Sequence, residues 1–331
     1  MPFSEPGPYA VGMRRMIKYT DPSRGDRPVT LTIWYPAEKA ATTVGEVIND
    51  GAPDMSNAPY PVILFSTKMG FVFAPHLVSH GFAVMGVNGQ DAARNWGTWL
   101  TDYPRDIVFG LDQLASNPPQ GLEGVLDTDH AGAIGYSFDG YTALALGGAR
   151  VDPAFYHNQC AQAGTSNPPL AAAWWVGYIC NMHGGWDAFV ANAGTFITTS
   201  EDGLWQPMTD GRIRAVMPMA PEGAWLFGER GLAAVDRPTL IIGATADTIN
   251  FYDLEAVYIF EHISNPTPIM ISFIDQLHGM IDDPDVNTRL KHFAVAFFGY
   301  HLQGKTDYAR WFSEDFVNQY GDLAWGVYEK K

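Results

Sequence analysis

The stretch "AGAIGYSFDGYTALAL" (131–146) decides the fold. A short apolar run at 131–134 gives way to a segment with helical apolar spacing, 138–150, across Gly135, Tyr136, Ser137 and Phe138. A strand that ends in Gly-x-Ser and re-emerges as a helix is the pattern of a nucleophile elbow, with the serine on a sharp turn at the strand's carboxyl end. The competing reading makes Ser137 an ordinary N-cap that accepts a helix N–H. Gly135 lets such a turn close. Two places after the serine, where strand and helix approach closely, the pattern wants a small side chain; Asp139 stands there instead, and the glycine arrives one place later, at Gly140.

Outward from this turn, apolar runs alternate with helical patterns. "PVTLTIWYP" (28–36) alternates like a half-exposed strand, whereas "PVILF" (61–65), "FAVMGV" (82–87), "AVMPM" (215–219), "TLIIG" (239–243) and "IMISFI" (269–274) are continuous. Continuous runs suit strands covered on both faces of a parallel sheet. Between them the spacing predicts helices over 74–81, 104–116, 138–150, 253–264 and 286–304. Strands alternating with helices imply an α/β fold, a mostly parallel central sheet with helices on both faces. Residues 151–212 break the rhythm without a clear buried strand, and are expected to be a cap-like insertion after the nucleophile helix, within one domain spanning 1–331. The insertion holds Trp174, Trp175, Trp186 and Trp205. Those aromatics, with "PEGAWLFGER" (221–230), can wall an apolar pocket or simply form a small core.

A serine needs a base, and the base needs an orienting acid. In an elbow fold these follow the serine in the order acid, then histidine, each just past a strand. Asp247 stands four residues beyond "TLIIG" and His278 four beyond "IMISFI". Asp253 and Asp275 are rival acids, but Asp253 suits the N-cap of the next helix and Asp275 lies three residues from the histidine. His76, His80, His262 and His301 fall in helical patterns that imply packing or surface roles, and His183 lies beside the tryptophan-rich insertion.

The 331 residues include 36 acidic and 20 basic side chains, a net charge of −16. A surface that negative repels phosphate backbones, so nucleic acid and anionic membranes are not expected partners. No apolar run is long enough for a membrane-spanning helix. The N-terminal segment lacks a signal peptide's apolar stretch; as it stands the chain is expected to be cytoplasmic, or secreted if a leader was removed. Cys160 and Cys180 have no neighbouring metal-ligand pattern, so no metal is expected there. They are either two buried thiols or a disulfide made in an oxidising compartment.

"GPYAVG", "IWYPA", "GYSFDGYTALALGGAR", "PTLIIGATADT" and "HFAVAFFGYHLQG" together resemble the α/β-hydrolase superfamily over about residues 7–310. The likeness is to the branch of predicted dienelactone hydrolases and platelet-activating-factor acetylhydrolase, and "PTLIIGATADT" is also similar to cutinase-like polyester hydrolases. The resemblance implies a serine esterase of small or polymeric esters that needs no cofactor, with Ser137 as nucleophile, Asp247 as orienting acid and His278 as base. It also implies an oxyanion hole from the N–H groups of Phe138 and Met69. Relatives carry "FSHGxGG" where this chain has "FSTKMGF", so Thr67 and Lys68 replace His-Gly. Lys68 can stabilise an oxyanion, bind a substrate carboxylate or stand idle in solvent, and with Asp139, Trp174 and Trp175 it is a candidate pocket residue. The rival readings are a lactonase or peptidase using the same three residues, and a non-catalytic binding protein.

Overall fold

Every residue of Tyr60–Ser66 is buried, as a strand requires only when both faces of its sheet are covered. In the computed structural model, which describes residues 1–39, 47–88, 96–162, 180, 185–264 and 266–329, this strand lies near the middle of a ten-stranded sheet. The strands are β1 (Ala10–Asp21), β2 (Arg27–Ala37), β3 (Val47–Asn49), β4 (Tyr60–Ser66) and β5 (Ala83–Val87), followed by β6 (Leu126–Tyr136), β7 (Ile213–Met219), β8 (Leu240–Ala244), β9 (Ile269–Phe273) and β10 (Leu323–Trp325). Their spatial order is β10-β9-β8-β7-β6-β4-β5-β2-β1-β3. The six from β9 to β5 run parallel, β2 and β10 join antiparallel, and three-residue strands close both edges. The chain is an α/β protein with a mostly parallel sheet.

Alternation along β4 shows how the two faces fill. Ile63 and Phe65 pack with Phe73 and Leu77 of α1 (Thr67–Ser79) and with Phe293 and Phe297 of the helix Pro284–Leu302. Val62 and Leu64 point the other way, to Ile107 and Leu111 of α2 (Trp96–Ser116). The chain runs from β4 outward to β5 and then returns to the opposite side of β4 with β6. That reversal opens a crevice at the carboxyl ends of β4 and β6, where open sheets of this kind place their ligands.

Several elements depart from the sequence expectation. β1 lacks a clean alternation because Arg14, Arg15 and Lys18 interrupt it, and its register on β2 shifts between Arg14 and Ile17, at a bulge where Met16 has φ 57°. α1 begins seven residues before the start expected at 74 and α2 eight before that expected at 104, so Pro75 and Pro104 lie inside their helices. The expected helix over 253–264 is a π turn, Asp253–Val257, followed by Tyr258–His262, and Tyr252 rather than Asp253 takes the cap position. The described part of 151–212 contains α4 (Pro153–Ala161) and the helices Trp186–Ala193 and Thr195–Thr198. Trp186 stacks on Tyr156 at 4.9 Å and Trp205 packs at a tilt against Phe189 at 4.6 Å, so these aromatics are the segment's own core. Cys160 and Cys180 form a disulfide, which settles the alternatives left by sequence. Trp174, Trp175 and His183 lie outside the described residues.

The N-terminal segment is strapped to the carboxyl end of α1 by histidines. His76 Nε2 donates to the Phe3 carbonyl at 2.8 Å, and His80 Nε2 to that of Glu5 at 3.0 Å. His292 accepts the Phe3 N–H at Nδ1 (3.2 Å) and donates from Nε2 to the Trp311 carbonyl (3.1 Å), an arrangement open only to the neutral ring.

Candidate active site

Ser137 follows the last residue of β6 and precedes α3 (Phe138–Leu146), with φ 60° and ψ −125°. It makes no side-chain cap bond to α3, which removes the N-cap reading. The turn is held by its own backbone: Ser137 N–H donates to the Met219 carbonyl at 2.9 Å, and Gly140 N–H donates to the Ser137 carbonyl at 2.8 Å. A Cβ on Gly135 would lie 1.8 Å from the Asp139 carbonyl oxygen, so no other residue fits there. The close approach expected at Asp139 falls on Gly140 instead, where a Cβ would sit 2.7 Å from Pro221. The small residue one place late is therefore the one the packing uses, and Asp139 is left to line a cavity.

The three residues predicted from their order along the chain meet in space. Ser137 Oγ lies 2.7 Å from His278 Nε2, and His278 Nδ1 lies 2.7 Å from Asp247 Oδ2. Asp247 is buried, and its other oxygen accepts the N–H groups of Ile249 (2.8 Å) and Asn250 (2.9 Å). It is thus an Asx-turn residue and the histidine's partner at once. The Tyr136 hydroxyl donates to the His278 carbonyl, and the β8 and β9 loops are joined by Ala246 N–H to the Gln276 carbonyl at 2.9 Å. Desolvation holds the Tyr136 hydroxyl protonated far above its usual range, so it stays a donor. Asp275 is exposed and gives its N–H to Thr245 Oγ1, away from the histidine.

No protein-family model matches the chain, and no curated protein does.

The crevice at Ser137 holds a cavity of about 310 Å³ that includes Lys68, Met69, Phe138 and Asp139. Two further walls come from α2. Trp99 lies 4.1 Å from the Phe138 ring, centroid to centroid, and Tyr103 is buried one helical turn on. Sequence reasoning passed over both, although their i, i+4 spacing is the signal of a shared helix face. Of the two alternatives left open for the segment 221–230, pocket wall or core, it takes the second: Trp225, Leu226 and Phe227 are fully buried in the core.

"FSTKMGF" is likewise not a loop. Ser66 ends β4 and caps α1, accepting the Met69 N–H at 3.3 Å, while Thr67, Lys68 and Met69 form the first helical turn with no positive φ. The lost glycine costs nothing here, since no left-handed residue is needed. The Lys68 side chain is exposed at the cavity mouth, and Thr67 Oγ1 is buried without a hydrogen-bond partner among the described residues. Among the described residues no group of three or more His, Cys, Asp or Glu is placed to hold a metal ion, and no helix is long and apolar enough to cross a membrane.

Proposed function

We propose that the chain is a serine hydrolase of the α/β-hydrolase type that cleaves carboxylic esters through an acyl-enzyme. The observation that carries this reading is the hydrogen-bonded series Ser137–His278–Asp247, assembled from the carboxyl ends of β6, β9 and β8 with the serine on a strained turn. A serine serving only as a cap or a loop polar group has no need of that backbone conformation.

In the proposed reaction Ser137 Oγ attacks the ester carbonyl while His278 Nε2 takes its proton. Asp247 keeps Nδ1–H pointed at its carboxylate and stabilises the imidazolium that forms. The tetrahedral oxyanion is met by the Phe138 N–H and by the N-terminal end of α1, where the helix dipole adds its field. The Met69 N–H joins only by leaving Ser66 Oγ, a long bond that an oxyanion readily replaces. His278 then passes the proton to the leaving alcohol, and water repeats the steps to free the acid. The aromatic wall of Trp99 and Phe138 suits a short acyl or aryl group, and Ile249 and Leu277, exposed beside Asp247 and His278, give the rim an apolar character.

The test is hydrolysis of p-nitrophenyl acetate, butyrate and octanoate by wild type and Ser137→Ala. The variant should lose at least about 10⁴-fold in kcat while keeping its fold by circular dichroism. Equal activity in both proteins, or none in wild type, refutes the reading and favours a binding role.

A further inference from the structure

Three acids converge behind the serine turn. Asp247, Glu222 in the segment after β7, and Glu255 in the π turn are 5%, 3% and 1% exposed. The strip between β7 and the helix Ala224–Leu232 is gripped from both sides. Glu222 N–H donates to the Ser137 carbonyl at 3.3 Å, and Asn250 Nδ2, from the loop that carries Asp247, donates to the Ala220 carbonyl at 2.9 Å. Glu255 Oε2 accepts the Ala224 N–H at 2.9 Å, with the Gly223 N–H beside it. The strip is strained at Ala220, with φ 39°, and such a conformation persists only while its surroundings hold it.

The second oxygen, Glu255 Oε1, is buried and has no hydrogen-bond partner among the described residues. Burying an ionised carboxylate with one bare oxygen is far costlier than burying the neutral acid. The carboxylates of Glu222 and Asp247 act on Glu255 in the same direction as burial. The helix Ala224–Leu232, packed on the π turn, carries Glu229 and Arg230, but these engage His262 (3.6 Å) and Asp152 (3.4 Å). Asp253, on the turn itself, adds only negative charge. Burial, then Glu222, push the Glu255 carboxyl well above the usual range.

We propose that Glu255, as a neutral acid, is a positioning residue that ties the loop bearing Asp247 to the strip beneath Ser137. This rests on reading Ser137, His278 and Asp247 as a working relay. A proton held at Oε1 leaves Oε2 free to accept the strip's N–H groups without a buried net charge beside Asp247. The folded chain keeps a proton that the unfolded chain releases above about pH 4.5, so this group's contribution to stability declines as pH rises from there toward the folded value.

The experiment compares wild type with Glu255→Gln, which is neutral and still accepts, and Glu255→Ala, which cannot accept. At pH 7 the wild-type infrared spectrum should carry the C=O stretch of a buried protonated carboxyl, absent from Glu255→Gln. On p-nitrophenyl acetate Glu255→Ala should lose roughly 10–100-fold in kcat with KM little changed, and Glu255→Gln should restore it. The downfield proton resonance of the His278–Asp247 bond should broaden in Glu255→Ala and stay sharp in Glu255→Gln. Absence of the infrared band, or a Glu255→Gln enzyme as impaired as Glu255→Ala, overturns the proposal. Should Glu255→Ala not fold, the infrared band and the Glu255→Gln activity decide. Because the infrared and resonance readouts need no turnover, an inert wild type would sink the esterase reading and leave this one to be judged separately.

Discussion

Ser137 holds a backbone conformation that costs a residue with a side chain on the order of 1–3 kcal/mol, and its neighbours keep it there. Gly135 is the least replaceable of them, since any Cβ strikes the Asp139 carbonyl. Gly135→Ala should therefore destabilise the chain by at least about 2 kcal/mol, read as a lower urea midpoint, and cut activity by more than the loss of folded protein explains. Asp247→Asn should keep the geometry yet drop kcat by roughly 10³–10⁴-fold, because an amide in place of Oδ2 turns the imidazole to the wrong tautomer. An Asn variant with near wild-type kcat would mean that Asp247 only caps its own loop through Oδ1. The order Ser, Asp, His was legible because each residue follows a buried strand, whereas Glu222 and Glu255 were not, since two acids in a loop and a helix pattern look solvated until the fold buries them.

At the scale of elements, what hid from sequence shares a physical cause. Proline is favoured at a helix's first position but tolerated later where packing outweighs the lost bond, so Pro75 and Pro104 lie inside helices that start seven and eight residues before expectation. The true start of α1 was marked by Ser66, whose capping role is only evident once β4 is known to end there. β1 was invisible because a bulge shifts its register and charged residues share its inward face's sequence. The continuous apolar strands, by contrast, lie within a residue or two of expectation save at the ends of β6, because a buried parallel strand has little choice of composition. The disulfide gives this scale its prediction. Cys160 and Cys180 are 20 residues apart, a loop whose closure contributes about 3 kcal/mol by restricting the unfolded chain. Replacing both with alanine should lower the denaturant midpoint accordingly; an unchanged midpoint would show that the aromatic core of Tyr156, Trp186, Phe189 and Trp205 holds α4 and the helix Trp186–Ala193 together unaided.

For the molecule as a whole, pH is the informative variable. Burial lowers His76, His292 and His301 from 6.5 to about 4. The unfolded chain takes up their protons first, so their contribution is full above about pH 6.5 and is lost as pH falls toward 4, on the order of 3 kcal/mol apiece at most. Urea midpoints should fall between pH 7.5 and 5, and His76→Gln with His292→Gln should flatten that fall while lowering the plateau. An unchanged slope would place the acid sensitivity elsewhere. The sheet's rims bear on a different property. β3 and β10 offer only three residues each to a passing chain, and the molecule carries 16 excess negative charges. Concentrated solutions should accordingly stay clear and free of fibrils near neutral pH, and turn cloudy only as acid approaches the isoelectric point and the mutual repulsion between molecules disappears.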